Sequence, residues 1–582
     1  MKTLLRLFIV LSGAPWAAGQ VQPGSLIYSG KFENGAFESL TFVNSVVGWD
    51  RLFNAGFRGG STVIGNVEAG HIWFGHEVFN RPTATANRFY TYDNLAAGSL
   101  DEIDYHATTV GHVLAGSGFV PPNSYSFAGL GMAPEATVVS GAVATGFSST
   151  EFGSFSVSSE SVIRTYRDFF RGNGLGAGVA RPDVINSSWG GGDPAGSSTE
   201  SLAIDGLARQ NASVAFVVAA GNSAGGPASA PAAGFNNISV GSLGGASFLQ
   251  PSAFTSTGLA DFYNPVTGVT LTGVRVAVDI AAPGERLFLS AYLGDSGSIG
   301  ASPALAGIIR EPSPKDLYFV NLDGTSYSSP LVAGGIALLK DVAKTDPFLN
   351  HMGNPDAFDT RVVKSVIMAG ARETIGWNNG QNSFNVTTQA LDVATGAGSL
   401  DLDAATDVYF FGTRDVSGKG GGVISEVGWD AGTINLGGVR DYVFAMEFTQ
   451  EMVLSVALNW FSVRDFNDLS GVGTDLAFSN LNLQVWQLDS GGGFATQVGA
   501  SESVYNNTEF LRIDSIAAGS YGLRVLHEGT IFNSGGPVDP EPFGLAWRAV
   551  AIPEPGVFGL LGVGGLLWMM RRKRSDEISN KF

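Results

Sequence analysis

The sequence predicts an α/β domain, with a mostly parallel sheet and helices on both faces, followed by a C-terminal β-sandwich domain. Apolar strand-like segments at 61–67, 182–187 and 214–220 alternate with stretches whose apolar residues recur at steps of three and four. Such alternation is typical of a parallel sheet covered on both faces. Beyond residue 415, short alternating segments separated by Gly, Asp, Asn and Ser turns predict the β-sandwich.

The composition is that of a large, acidic, globular protein. The chain has 582 residues, of which 44% are hydrophobic, and this allows a large core and more than one domain. Its formal net charge of −19 argues against nucleic acid or an anionic membrane surface as a partner. Because the chain has no cysteine, disulfide bonds, thiolate metal sites and cysteine nucleophiles are excluded.

Residues 1–19 have the pattern of a secretory signal peptide. Two basic residues precede an apolar run, and small residues at 17–19 allow cleavage before Gln20. The apolar run is too short to span a membrane, which argues against an anchor at this end. Residues 20–45 form an N-terminal segment with no clear periodicity.

A buried strand at 61–67 is predicted to end at Glu68. A carboxylate in this position can accept a hydrogen bond from a histidine and hold its tautomer, so Glu68 is a candidate acid. A strand-end carboxylate without a catalytic part is the alternative. Asp101 and Asp104 are further candidates, but they do not follow a predicted strand.

Three histidines lie near this acid in the sequence. His71 and His76, together with Glu77, raise the question of a metal site, but their spacing matches no zinc motif. We therefore predict a loop that frames a cleft. His106 begins a helical pattern at 106–116, where a lone histidine is usually structural but is also placed to act as a base.

Two further predicted strands end in turns that carry polar groups. The strand at 182–187 leads into a glycine turn, and the strand at 214–220 stops at Gly221 and Asn222. An asparagine at a strand end is often only a turn residue. Its side-chain N–H can also stabilise an oxyanion.

Ser326 lies where a polar loop enters a predicted buried helix. Apolar residues recur at steps of three and four from Val332 to Leu339. Pro330 lies near the start of the pattern, where its missing N–H costs little. Free backbone N–H groups and the positive end of the helix dipole collect at such a position. It suits a nucleophile whose attack creates an oxyanion, and a simple capping loop is the alternative.

Together these motifs resemble those of the subtilisin-like (subtilase) serine peptidases. The segment from Gly324 to Pro330 resembles the family's nucleophile motif, and the segment from His106 to Gly116 resembles its histidine motif with substitutions. The acid, histidine and serine segments follow in the family's order. The resemblance covers residues 46 to about 410, so the peptidase domain is expected at 46–415.

The resemblance implies a role for each motif. Ser326 would be the nucleophile, His106 the general base and Asn222 an oxyanion donor. Glu68 stands where the family has aspartate, and would orient His106 through a side chain that is one methylene longer. The resemblance also implies a substrate-binding edge and the wall of the primary specificity pocket, formed by Ser188, Trp189, Gly190, Ala219, Ala220 and Gly221.

The resemblance also bears on cofactors and maturation. The chemistry needs no cofactor, and although members of the family often bind structural calcium, we assign no ligands for it. Protein or peptide substrates are the expected partners. Residues 20–45 are few for the folded pro-segment that subtilases often carry, so self-processing by such a segment is not predicted.

The C-terminal end resembles a PEP-CTERM sorting signal of Gram-negative bacteria. After the sandwich at 416–550, the segment 551–574 carries Pro553-Glu-Pro555, 15 mainly apolar residues and four basic ones. About twenty residues are needed to span a bilayer, so a permanent anchor is the less favoured alternative. The resemblance implies transient membrane retention, cleavage by an exosortase-type enzyme, and release to the cell surface or extracellular matrix. A tail at 575–582 follows.

The sequence therefore predicts an exported serine endopeptidase with a Ser-His-Glu triad. Three alternatives stay open. A sedolisin-like acid peptidase would use Ser, Glu and Asp on the same fold, but that family lacks the histidine motif present here. A catalytically degenerate surface protein would keep the fold without turnover. A matrix or adhesion protein would carry its function in the β-sandwich.

Overall fold

The structure is a computed structural model of the chain. It describes residues 27–33, 36–79, 88–94, 98–117, 129–147, 154–292, 308–310, 317–346, 354–411 and 419–552. The predicted signal peptide, and the predicted sorting segment and tail from residue 553 onward, lie outside these residues. In the described part of the chain, no helix is both long and apolar enough to cross a membrane.

Helices and strands alternate through the first two thirds of the chain. The helices are α1 (Val43–Val46), α2 (Trp49–Asn54), α3 (Tyr105–Ala115), α4 (Ser159–Arg171), α5 (Thr199–Gln210), α6 (Thr325–Thr345), α7 (Thr360–Ala369) and α8 (Leu402–Phe410). The strands are β1 (Tyr28–Glu33), β2 (Ala36–Phe42), β3 (Val63–Glu68), β4 (Phe89–Thr91), β5 (Thr137–Ala142), β6 (Ala144–Phe147), β7 (Phe155–Val157), β8 (Val184–Ser187), β9 (Ala215–Ala219), β10 (Ile238–Gly244), β11 (Gln250–Pro251), β12 (Ala260–Asn264), β13 (Val269–Arg275), β14 (Ile280–Pro283), β15 (Leu287–Ser290), β16 (Ile308–Arg310), β17 (Leu317–Leu322) and β18 (Val386–Thr387).

A central sheet positions the predicted site. Its strand order is β11-β10-β9-β8-β3-β5-β4, and β14 also pairs with β10. These strands run parallel, apart from β11, which pairs antiparallel with β10. Because β3, β8 and β9 are neighbours in one parallel sheet, their carboxyl ends meet at one edge. Ligands bind at this edge of open α/β sheets.

Helices cover both faces of this sheet. Val184 and Val217 enter one hydrophobic core, which they share with α3, α6 and α7. The adjacent residues Ile185 and Val218 enter a second core, which they share with α4 and α5. Successive side chains of a strand point to opposite faces, so the continuous apolar runs in the sequence reflect burial on both sides. The mixture of sheets and helices agrees with the prediction.

A second, antiparallel sheet has the strand order β16-β17-β15-β1-β2 and was not predicted from the sequence. It joins the hairpin β1–β2 to the strand β17 that leads to Ser326. The Ser29 hydroxyl donates to the Glu285 carbonyl at 2.7 Å. The backbone N–H of Arg286 donates to Asp323 Oδ1, also at 2.7 Å. The first described residues are thus tied to the loop before the predicted nucleophile.

The C-terminal part is β-rich, as predicted. Its strands are β19 (Gly422–Ile424), β20 (Val427–Ile434), β21 (Val439–Phe444), β22 (Met452–Trp460), β23 (Val463–Asn467), β24 (Val472–Leu488), β25 (Phe494–Ser501), β26 (Thr508–Ile516), β27 (Tyr521–Asn533) and β28 (Glu541–Ala551). One sheet has the order β18-β25-β24-β27-β21-β19, with β23 also paired to β24, and the other has the order β20-β28-β22-β26. Alternate residues of β22, such as Leu454, Val456 and Leu458, enter a shared core. We refer to residues 419–552 as the β-domain.

The β-domain packs directly on the helices of the first domain. Helix α7 contacts β22 and β28, and α5 contacts β23 and β24. At the first of these contacts, Asn459 Nδ2 donates to Ser365 Oγ at 2.8 Å, and that hydroxyl donates to the Gly544 carbonyl at 2.9 Å. Buried polar groups are paired across the boundary, as expected for an interface excluded from water.

Candidate active site

Glu68 ends β3 at the carboxyl edge of the central sheet and is fully buried. Its Oε1 accepts a hydrogen bond from the backbone N–H of Ser188 at 2.7 Å, one residue beyond the neighbouring strand β8. Its Oε2 lies 3.2 Å from Nδ1 of His106. A buried carboxylate needs such partners, because burial strongly disfavours an unpaired charge.

His106 is the second residue of α3, and its side chain is 24% exposed. The helix is capped by Asp104, whose carboxylate accepts from the backbone N–H groups of His106 and Ala107 at 3.2 and 3.4 Å. The cap fixes the first turn, so the ring faces Glu68. The separation is that of an ion pair, although Oε2 has no well-aligned donor in the described residues. Catalytic hydrogen bonds are often long before substrate binds.

The carboxylates near His106 stabilise the charged form of its ring relative to an ordinary histidine. Burial opposes the charged form of the ring. The contact with the Glu68 carboxylate and its negative charge, followed by the charge of Asp104, outweigh this effect. The pKa of His106 is therefore raised above its ordinary value of about 6.5. The same partners would stabilise the imidazolium that forms when the ring accepts a proton.

The alternative acids have other partners. Asp101 Oδ1 lies 3.2 Å from Nε2 of His71, and Asp104 serves as the cap of α3. Glu68 is thus the acid at the His106 ring nitrogen. In the described residues there is no group of three or more His, Cys, Asp or Glu side chains that could hold a metal ion.

Ser326 is the second residue of α6 and is 8% exposed. Its hydroxyl donates to the Ser188 carbonyl at 3.2 Å and not to the His106 ring. The helix begins at Thr325, so Pro330 is its sixth residue and lies deeper than predicted. Its missing N–H leaves the Ser326 carbonyl without its intrahelical donor. The Ser188 hydroxyl donates to that carbonyl instead, at 2.9 Å.

Asn222 is held with its amide oxygen facing α6. Its Oδ1 accepts from the backbone N–H and the hydroxyl of Thr325, both at 2.9 Å. The Thr325 hydroxyl also accepts from the N–H of Gly221, which has a left-handed φ of 107°. Because the oxygen is fixed, the amide N–H₂ is the end left for a ligand. Thr325 was not singled out from the sequence, although it lies inside the Gly-Thr-Ser motif.

Two cavities meet at Ser188, Trp189 and Gly190. The larger has a volume of about 480 Å³ and is also lined by Ser326 and Asn222. The smaller, of about 130 Å³, is lined by His106 and Glu68 together with aromatic side chains. The predicted site residues other than Ala220 therefore line two adjoining parts of one cleft. Its aromatic walls include side chains that the sequence analysis did not predict, Phe147 of β6 and Phe155 of β7.

The predicted pocket wall is found in part. Ala219 and Gly221 line the larger cavity, whereas Ala220 is fully buried in the core and does not line it. The alternation of side chains along an extended segment explains this, since neighbours point to opposite sides. Trp189 lines both cavities and packs edge-on against Phe155, with ring centroids 6.0 Å apart.

Replacing Asn222 tests the oxyanion donor. For Asn222→Ala we expect kcat on a chromogenic peptide amide to fall by about 10²–10³-fold, with a small change in KM. Asn222→Asp is the matched control for packing, because it keeps the acceptor for Thr325 but has no N–H₂. It should lose at least as much turnover. Wild-type turnover by Asn222→Asp would rule out the donor role.

The arrangement can support acyl transfer. The site has the parts of a nucleophilic hydrolase: a hydroxyl at a helix N-terminus, a histidine paired with a buried carboxylate, and an amide donor beside the hydroxyl. Rotation about the Ser326 side-chain bond would redirect its hydroxyl from Ser188 into the cleft.

Comparisons with known proteins point to one family. The sequence profile of the subtilase family matches residues 65–398, more than half of the chain. A comparison with curated proteins finds no significant match. Among solved structures, the chain is similar to the prenylagaramide maturation protease PagA, with 19% identity, a TM-score of 0.40, and coverage of 62% of this chain and 98% of that one.

Two other solved proteases are similar to the same extent. The self-cleaved protease domain of PatA shares 19% identity at a TM-score of 0.39, with coverage of 60% of this chain and 97% of that one. A protease from Pseudoalteromonas arctica shares 19% identity at a TM-score of 0.39, with coverage of 62% and 94%.

Proposed function

The chain belongs to the subtilase family and is a serine-type, subtilisin-like peptidase, and from this premise we propose that it is an exported endopeptidase with a Ser326-His106-Glu68 triad. The observation that carries the triad is the 3.2 Å separation between His106 Nδ1 and the buried Glu68 carboxylate. Glutamate thus takes the part that aspartate usually plays in this family.

In the proposed mechanism, His106 removes the proton of the Ser326 hydroxyl as that oxygen attacks the scissile carbonyl carbon. The ring then gives the proton to the leaving amine, which departs with the C-terminal part of the substrate. A water molecule then attacks the acyl-enzyme with His106 again acting as base and then as acid, which releases the rest of the substrate and restores the Ser326 hydroxyl. Glu68 holds Nδ1–H toward itself, so Nε2 is the nitrogen that accepts the proton.

The oxyanion would be held by two donors. The Asn222 N–H₂ is one, since its oxygen is fixed by Thr325. The Ser326 backbone N–H is the other, because the first N–H groups of a helix have no intrahelical acceptor. The substrate backbone would pair with Ser188–Gly190 as an added strand.

A fluorophosphonate probe tests whether the site is competent. We expect the mature protein to be labelled at Ser326, as identified by peptide mass spectrometry, and to hydrolyse casein. Labelling should stop when the protein is unfolded beforehand, which separates an activated hydroxyl from general reactivity. If the folded protein is neither labelled nor able to turn over casein, the chain is a degenerate member of the family.

The pH profile distinguishes the triad from an acid peptidase. His106 must be neutral to accept the serine proton, and its raised pKa means that it becomes protonated at a higher pH than an ordinary histidine. Activity should therefore be present at neutral to alkaline pH, and kcat/KM should fall as the pH drops through an apparent pKa above about 6.5. Activity confined to pH below about 5 would favour a sedolisin-like mechanism.

We further propose that the chain is exported from a Gram-negative bacterium and sorted through its C-terminal segment. The sequence of residues 1–19 and the Pro553-Glu-Pro555 segment with its apolar and basic residues support this proposal. The membrane contact would be transient, and the product would reach the cell surface or extracellular matrix. Intact-mass measurement of the released protein should show that residues 1–19 and the basic cluster at 571–574 have been removed.

A further inference from the structure

Arg464 lies on β23 of the β-domain and is the charged centre of the domain boundary. Its side chain is 1% exposed. Nη1 donates to Asp205 Oδ2 at 2.8 Å, across the boundary on α5. Nε and Nη2 donate to Asp475 Oδ2 at 3.2 and 2.9 Å, within the β-domain. A guanidinium can occupy such a buried position because its planar donors are shared by two carboxylates.

One wall of the 480 Å³ cavity is attached to this arginine. The loop after Trp189 contributes Gly190, Asp193 and Pro194 to the cavity lining. Two residues further on, the Gly196 carbonyl accepts from Arg464 Nη1 at 2.5 Å. Hydrogen bonds within the loop also stabilise it, because the Asp193 carboxylate accepts from backbone N–H groups that follow it in the chain.

A second wall is connected to the same ion pair. Ala228 and Ser229 also line the cavity, and the next residue, Ala230, exchanges two backbone hydrogen bonds with Gly191 of the first wall, both at 2.8 Å. The chain then continues to Phe235 and Asn236, whose backbone N–H groups donate to the Asp205 carboxylate at 2.7 and 3.2 Å. Asp205 is the carboxylate that Arg464 binds, so one buried charge pair fixes the far ends of both walls.

Further contacts from the β-domain strengthen this attachment. The Asn236 side chain and the backbone of Ser462 exchange two hydrogen bonds, both of 2.9 Å. Asn507 Nδ2 donates to the Phe235 carbonyl at 2.8 Å. The Phe235 ring itself lies under the Arg464 guanidinium, 4.6 Å from its centroid.

We propose that the β-domain supports the substrate pocket of the peptidase, and that Arg464 is the positioning residue through which it holds the two paired pocket walls in place. The proposal rests on the proposed function, because it takes the 480 Å³ cavity as the site for the residue that precedes the scissile bond. Arg464 touches neither the substrate nor the triad. It acts through Gly196 and Asp205. Its loss should therefore change the preference for the substrate side chain more than it changes the rate of the chemical step.

The test uses the full mature chain and two peptides that differ only in the residue before the scissile bond, phenylalanine or alanine. Arg464→Lys keeps the charge but cannot contact Gly196 and both carboxylates at once. The ratio of kcat/KM between the two peptides should change by at least about tenfold, because small displacements in a binding site have large effects. The matched control is Arg524→Lys, which alters an Arg-Asp441 pair within the same domain; its ratio should stay within about twofold.

A purely structural role for Arg464 would lower the melting temperature and the fraction of Ser326 labelled, but would leave the selectivity of the labelled molecules unchanged. That outcome would overturn the inference. If Arg464→Lys does not fold, Asp475→Asn loosens only the attachment inside the β-domain and should shift the ratio in the same direction; an unchanged ratio would again count against the proposal. Absence of labelling in the unmodified protein would instead refute the proposed function.

Discussion

Ser326→Ala is expected to lower kcat on casein or a peptide amide by about 10⁶-fold, to the level left by the other groups of the site. The oxygen of this hydroxyl forms the bond to the substrate, whereas the neighbouring Thr325 hydroxyl is engaged by Asn222 and Gly221. Turnover should be measured with the mature protein at neutral pH. KM or inhibitor affinity should change little, because the pocket walls remain.

Ser328→Ala is the matched control for this substitution. It removes a hydroxyl from the same helical turn, but that hydroxyl donates to the Pro283 carbonyl and faces away from the cleft. We expect Ser328→Ala to keep most of its turnover and its fluorophosphonate labelling. Equal losses in the two variants, or clear turnover by Ser326→Ala, would contradict the assignment of the nucleophile.

Glu68→Gln is expected to lower kcat by about 10⁴-fold, the cost typical of a triad whose acid is replaced by its amide. Glutamine can still accept the Ser188 N–H through its oxygen, so the strand ends should stay together. Its N–H₂ would then face His106 Nδ1 and favour the tautomer with the proton on Nε2, which cannot act as a base. The loss should appear in kcat at a pH well above the pKa of His106.

Glu68→Asp separates carboxylate chemistry from side-chain length. It restores the charge but moves the carboxylate away from the ring by one methylene, and we expect activity between those of wild type and Glu68→Gln, lowered by about 10²-fold. Both variants should be compared per labelled active site. If Glu68→Gln retains more than a tenth of wild-type kcat, the acid must be sought elsewhere, and Asp104 would be examined next.

Local patterns predicted the elements that carry the site, and the reason is physical. Regular spacing of apolar residues within short stretches predicts the strand before Glu68 and the helix after Ser326. The order of these elements along the chain then indicates which of their ends meet at the sheet edge. The contact between Glu68 and His106 was implied by the resemblance of their segments to the subtilase motifs, and the structure brings the two side chains to 3.2 Å. The hydrogen bonds that Ser188 makes to Glu68 and Ser326, and that Asn222 makes to Thr325, could not be predicted, because each joins residues more than a hundred positions apart.

Pro330 and Arg464 illustrate what sequence patterns do not contain. The sequence pattern places Pro330 in the first turn of the helix, whereas the helix begins at Thr325 and Pro330 lies inside it. The Ser326 carbonyl, which has no donor at Pro330, accepts a hydrogen bond from the Ser188 hydroxyl instead. Arg464 lies in a strand that alternates like its neighbours, and its pairing with Asp205 across 259 positions has no local signature. The second sheet was missed for the same reason, since β1 pairs with β15 far along the chain.

The attachment of β1 has a consequence for the loop that precedes Ser326. This strand lies inside a five-stranded sheet, between β2 and β15, and its neighbour Arg286 holds Asp323 ahead of the nucleophile. Excision of the first hairpin would expose a sheet edge beside the catalytic helix and release that loop. The hairpin therefore belongs to the fold that positions Asp323, and we expect a variant without β1 and β2 to lose the order of the loop before Ser326.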